Sequence, residues 1–402
     1  MSKVQGMTEF GGKRYRAFLG SLGLLNFAGV CAQIVMIPLL TEIAEEFSVR
    51  EGGAAIVVAG FGLPGIITPI LVGPATDRYG RKTFLVGGML LVAGGTLLSA
   101  AASTFDVLVL SRVIAGVGAW LVFPSAYAAI ADSLPYYKRG RALSTNMGFG
   151  TLASIAWIPI AGIIAESTSW RASVGLTGII SLISAGMLFY FVPSFKIERE
   201  IHHARELFGS ILTNGSVVAA YTSSFLGSSS WFIWSPFVVV FFKLKYMLSL
   251  GEASMLGITL GLGLMAGTLI GGRLGDRLGQ KYVMVAATAC ACPPILALTN
   301  LPLPLATAVL LNLVVASAMG ARFVTTNTLL TEQMPEIRGT VLAIAVSIVS
   351  VASVVGAIVG GALLDRSGFA MIGLLGAALA FGSMVTSAAF IKEGRVPDLG
   401  RT

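Results

Sequence analysis

Charge is scarce in this chain. Asp, Glu, Lys and Arg fill 11% of its 402 positions, where a soluble domain carries about 25%. With 55% hydrophobic residues and a mean hydropathy of +0.85, most of the surface must face lipid rather than water. No polar run is long enough to fold as a separate soluble domain. Histidine and cysteine are nearly missing as well. His202 and His203 are adjacent in a polar stretch, and Cys31, Cys290 and Cys292 form no CxxC pair. A metal cluster or disulfide framework is therefore not expected, nor any cofactor; the thiols read as small buried apolar residues. No Ser-His-Asp set or phosphate-cradling loop is present, which argues against an enzyme and against an ATP-driven pump.

What the chain has instead is long apolar runs. A spanning helix needs about 20 mostly apolar residues. Twelve candidates lie at 17–40, 54–75, 83–102, 105–131, 142–165, 171–192, 212–242, 252–273, 282–300, 303–331, 340–363 and 369–391. The first sixteen residues are polar and basic, and the run behind them is too long for a cleavable signal, so it reads as the first membrane helix. With both termini cytoplasmic, the cytoplasmic segments hold 20 of the 27 Lys and Arg, and the other side holds Arg50, Arg171, Lys243, Lys245 and Arg366. That asymmetry predicts a multi-pass protein of the inner, cytoplasmic membrane. The net charge of +8 marks no nucleic-acid partner, because the basic residues recur in short clusters between apolar stretches. Residues 193–211 are polar and charged. They predict a cytoplasmic linker, able to lie as a short amphipathic helix, between halves at 1–192 and 212–402.

The halves repeat. Gly73-Pro-Ala-Thr-Asp77-Arg78-Tyr-Gly80-Arg81-Lys82 returns as Gly272-Arg-Leu-Gly-Asp276-Arg277-Leu-Gly279-Gln280-Lys281, a shift of 199. Arg139-Gly140 returns as Arg338-Gly339, Gly162 as Gly361 and Glu166 as Asp365 at the same shift, and Pro38 returns as Pro236 one residue out. Parallel repeats of this kind predict two six-helix bundles around a pseudo-two-fold axis, with a solute site near the midplane.

These residues resemble the major facilitator superfamily over essentially the whole chain. The first loop copy fits the family's G-x-x-x-D-R-x-G-R-K signature in full, and the second departs at Gln280. The resemblance implies an all-α fold of twelve membrane helices and a gating latch at Gly73, Asp77, Arg78, Gly80, Arg81, Lys82, Gly272, Asp276, Arg277 and Gly279. Leu110-Ser-Arg112-Val-Ile-Ala-Gly116-Val-Gly118 is similar to the family's R-x-x-Q-G-x-G element, with Ala115 where glutamine is usual, and implies a coupling role for Arg112. The fifth segment keeps only Pro159 and Gly162 of the family's G-P-x-x-G-G motif, which weakens the pointer to export. The first segment offers Asn26 and Gln33 where many drug:proton antiporters have a carboxylate.

In the family, helices 1, 4, 7 and 10 face the cavity. The resemblance therefore implies a substrate site drawn from Asn26, Gln33, Arg112, Trp120, Tyr127, Tyr221, Ser228, Trp231, Asn312, Arg322 and Thr326. Packing is the competing reading for the aromatics, and bonding to helix carbonyls or snorkelling is the competing reading for the arginines. No Asp or Glu lies near the midplane of any segment, so coupling is expected to run through Asp132, another peripheral acid or the solute itself. The function expected is secondary active transport by a monomer, with proton-coupled efflux of a small organic solute. The runner-up is an organic-anion carrier using Arg112 and Arg322. A non-transporting receptor on the same fold is the third reading, and it leaves two gate-like loops unexplained.

Overall fold

Twelve helices long and apolar enough to cross a bilayer run through the computed structural model, which describes residues 12–193, 211, 213–334 and 337–392. They are α1 (Arg14–Glu46), α2 (Glu51–Val72), α3 (Arg81–Ala100), α4 (Phe105–Ser133), α5 (Tyr137–Ser167) and α6 (Trp170–Phe191). Then follow α7 (Gly215–Tyr246), α8 (Leu250–Leu278), α9 (Gln280–Asn300), α10 (Leu305–Gln333), α11 (Arg338–Ser367) and α12 (Phe369–Phe390). No strand occurs among the described residues. In lipid a helix satisfies its own backbone groups. Large apolar side chains such as Leu71, Leu110, Ile179 and Leu269 can therefore remain exposed. The surface helix expected in the linker falls outside the described residues.

Several helices outrun the apolar windows that mark them. The first continues to Glu46 rather than 40, the fifth begins at Tyr137 rather than 142, and the eleventh spans Arg338–Ser367 rather than 340–363. Charged residues end an apolar count, but they do not end a helix once its ends reach the polar interface. One expectation about side chains also fails. Cys31 is buried and Cys292 partly so, but Cys290 is exposed, because a small residue on the outer side of a spanning helix can face lipid as readily as protein.

The repeated prolines mark real breaks. In α1 the α-helix runs to Ile34, tightens into a 3-10 turn at Ile37–Leu39 around Pro38, and resumes at Leu40. In α7 it runs to Trp234, tightens at Ser235–Phe237 around Pro236, and resumes at Val238. Proline lacks the N–H that would continue the ladder and clashes with the preceding turn. A further 3-10 turn at Leu63–Ile66 interrupts α2, whose helix then resumes and reaches Tyr79. The loop motif has a backbone reason as well. Gly80 and Gly279 both adopt positive φ, 87° and 98°, a conformation in which glycine alone is at ease, and each turn launches the next helix at Arg81 or Gln280.

By internal contacts the chain divides into two compact units. One comprises Met1–Ile201 and Pro236–Gly261, the other His202–Ser235 and Leu262–Thr402. The first has a core around Leu22, Leu25, Phe61, Leu85, Met89 and Val122. The second is centred on Val217, Met284, Leu329, Leu330 and Val341. Glycines let the helices inside each unit approach to backbone contact, as Gly118 does against Val92 of α3 and Gly267 against Ser317 of α10, the small-residue packing typical of membrane helices.

Candidate functional site

At the face carrying the Gly80 turn, Arg81 and Asp132 form an ion pair at 3.1 Å, with side chains only 9% and 11% exposed. Arg81 also donates to the Thr76 hydroxyl. The latch residue Arg81 and the coupling candidate Asp132 thus belong to one cluster. Gly73, Asp77 and Arg78 fall in the helical end of the Thr68–Tyr79 segment, and the Lys82 ammonium sits 5.0 Å from the Phe189 ring. The second copy is built differently. Gln280 replaces the arginine, is itself buried, and donates to Asp276 at 3.3 Å, while Gly272 lies in α8 and Arg277 is exposed there.

Arg112 is fully buried in α4. One terminal nitrogen, Nη2, donates to the carbonyl of Ala32 at 2.6 Å, just before the break in α1, and the guanidinium lies 4.6 Å from the Phe61 ring centre. Trp120 donates from Nε1 to the Phe61 carbonyl at 3.2 Å. The carbonyl-bonding alternative therefore describes Arg112, which ties α4 to the interrupted part of α1. Helices α4 and α10 each have 29 residues and start at Phe105 and Leu305, so Asn312 is the counterpart of Arg112. Asn312 is also fully buried, and its Oδ1 accepts from Trp234 Nε1 at 2.9 Å, just before the break in α7. In each unit the same position on the fourth helix of the half grips the broken helix.

Asn26 is buried in α1 and donates to Asn146 Oδ1, while Asn146 donates to the Leu22 carbonyl at 3.0 Å. Tyr127 is 37% exposed, and Gln33 is half-buried. Asn146 was not among the residues singled out from sequence, although an Asn in an apolar run is itself a signal of internal hydrogen bonding.

The second unit holds the other arginine. Arg322 of α10 is 3% exposed; its Nη2 donates to Ser228 Oγ at 2.9 Å and meets Met319 Sδ at 3.4 Å. Its Nε and Nη1 have no hydrogen-bond partner. It bonds no backbone carbonyl and does not snorkel out. Each such buried donor costs about 1–3 kcal/mol when unmet, so this side chain is poised for an acceptor. Trp231 lies beside it, whereas Tyr221 spends its hydroxyl on the Val341 carbonyl at 3.0 Å and Thr326 on the Arg322 carbonyl at 2.7 Å. Of the substrate candidates in this unit, Ser228, Trp231 and Arg322 cluster together; Tyr221, Thr326 and Asn312 are committed to the protein itself.

At the face opposite the Gly80 turn, segments from the two sequence halves meet within the first unit. Lys243 of α7 pairs with Glu42 of α1 at 2.8 Å and donates to Thr41 at 3.0 Å. Glu166 of α5 accepts from the Gly251 backbone N–H at 3.1 Å, in the first turn of α8, where a carboxylate is favoured by the helix dipole. Glycines make the contact close: Gly162 of α5 abuts Ser254, Gly257 faces Ile158 and Gly261 faces the Ser154 carbonyl. Sequence spacing showed Gly162 and Glu166 as repeated positions but could not reveal what they touch.

A sequence profile of the Major Facilitator Superfamily matches residues 22–258 and 220–401. The uncharacterized MFS-type transporter YwfA of Bacillus subtilis (strain 168) is 30% identical over 145 residues, 36% of this chain and 35% of that protein. Quinolone resistance protein NorA of Staphylococcus aureus (strain COL) is 26% identical over 163 residues, 40% of this chain and 38% of NorA. The matched stretches span little more than a third of these relatives' lengths. In fold, the solved structure of the nucleoside transporter NupG is similar with a TM-score of 0.77 at 16% identity, over 93% of this chain and 100% of that one.

Proposed function

The chain belongs to the major facilitator superfamily, and on that premise we propose that it carries a small organic solute across the cytoplasmic membrane by alternating access, exporting metabolites or amphipathic compounds in exchange for protons. One observation carries the reading. The contacts that join the two sequence halves at the face opposite the Gly80 turn combine close glycine packing with polar links, Lys243 with Glu42 and Glu166 with the start of α8. The Lys243–Glu42 pair is half-buried, and an ion pair that water still reaches is worth about 0–1 kcal/mol, so these polar links can open and reform in each cycle. The positive-inside asymmetry supports a cytoplasmic side for the Gly80 and Gly279 turns. The likeness to NorA supports export. No carboxylate is bonded to Arg112 or Arg322 among the described residues, so the proton is expected to travel through Asp132 or with the solute.

Reconstitution tests this. Uptake of labelled anionic and uncharged solutes into proteoliposomes, with and without an imposed pH gradient, is expected to show gradient-driven accumulation of at least one class. Equal uptake with and without the gradient contradicts proton coupling. Uptake no faster than in protein-free vesicles contradicts transport.

A further inference from the structure

Beside Arg322 a small recess of about 30 Å³ lies between α7, α9, α10 and α12, all within the second unit. From its lining we infer that Arg322 and this recess form a binding site for one small monovalent anion, of carboxylate rather than phosphate or sulfate type. The inference rests on the transport reading only for its consequence, that the solute carried bears such a group.

Arg322 is the one charged side chain among the described residues lining the recess. Arginine stays protonated at any working pH, and two of its N–H-bearing nitrogens, Nε and Nη1, are buried without an acceptor. They lie on different edges of the guanidinium, so each offers one separate charge-assisted hydrogen bond to an anion. The other polar lining groups do not compete for that role. Ser230 donates its proton to the Gly376 carbonyl at 2.7 Å and Thr288 donates to the Met284 carbonyl at 2.7 Å. The rest of the wall is apolar or aromatic, with Trp231, Ile295, Val315 and Ala380. Such walls lower the local dielectric and strengthen the single charge. They also penalise a doubly charged, heavily hydrated ion, which one arginine cannot neutralise. Gly227 positions the side chain: a β-carbon there would stand 2.7 Å from Cζ and 2.8 Å from Nε and Nη1, so only a bare backbone lets the guanidinium pack where it does. Arg112 also leaves Nε and Nη1 without partners, but its Nη2 bonds the Ala32 carbonyl and its guanidinium lies 4.6 Å from the Phe61 ring centre, whereas Arg322 lines a recess.

The test uses the purified full-length protein and needs no transport, so it stands or falls apart from the transport reading. Thermal unfolding is followed in chloride, acetate, benzoate and sulfate at constant ionic strength. Acetate and benzoate are expected to raise Tm saturably, and sulfate is not. Arg322→Gln should weaken that response at least about tenfold, the loss of a charge-assisted hydrogen bond. Gly227→Ala keeps the charge but displaces the guanidinium, whose Cζ would stand 2.7 Å from the new β-carbon, and should lose the response as well; if one variant fails to fold, the other carries the test. An equal shift in both variants, or none in the wild type, overturns the site. A response to chloride alone, or an equal response to sulfate, overturns the carboxylate assignment.

Discussion

Asp132→Asn is expected to lower stability by about 3 kcal/mol, near the lower end of the cost of breaking a buried ion pair. Arg81 is 9% exposed and sits 3.1 Å from the Asp132 carboxylate. Removing the carboxylate charge takes a charge-assisted partner from Arg81 in a site that water barely reaches, while the hydrogen bond to the Thr76 hydroxyl remains. The second loop copy shows what a neutral version looks like, because Gln280 occupies the equivalent buried position and bonds Asp276. The double variant Arg81→Gln/Asp132→Asn should therefore regain most of the lost stability. Thermal unfolding of the single and double variants in detergent measures both, and equal stability of wild type and Asp132→Asn would refute the structural weight given to this pair.

Gly162→Leu is expected to leave the protein folded but to cut transport at least about tenfold, the effect of a barrier raised by roughly 1.4 kcal/mol or more. Gly162 sits against the Ser254 side chain at the start of α8, with the Leu250 carbonyl next beyond it. A leucine cannot occupy that space, so the first turns of α8 must move away from α5 and take Gly251 out of reach of Glu166. The variant should then label faster at a cysteine placed at Ser254, while its Tm stays close to that of the wild type. Unchanged labelling together with normal transport would show that this contact does not govern closure.

Much of the fold was legible because lipid imposes simple rules. Long apolar windows set the twelve helices, and the repeat at Gly80 and Gly279 anticipated two turns that need positive φ. Pro38 and Pro236 were visible as a repeated pair, yet only the structure shows that both break their helices. The site was less legible, since contact partners leave no local trace. Nothing in the sequence near Arg112 indicates that it bonds Ala32, 80 positions away, or that Asn312 plays the matching part for Trp234. The sequence also grouped Tyr221 and Asn312 with Ser228 as substrate ligands because polar residues in a membrane helix attract attention. The structure shows the first two bonded to protein groups. Conversely, Gly227 carries no polar group and drew no attention, although its bare backbone is what lets the Arg322 guanidinium pack where it does.

A reversible cross-link across the polar clasp addresses the central claim most directly. With Cys31, Cys290 and Cys292 replaced by serine, Glu42→Cys and Lys243→Cys place two thiols where the 2.8 Å ion pair now stands, within reach of a short thiol-specific cross-linker. Alternating access requires these positions to separate in every cycle, so the cross-linked protein should stop transporting and recover when a reductant cleaves the link. Transport at the same rate with the link intact would contradict the account.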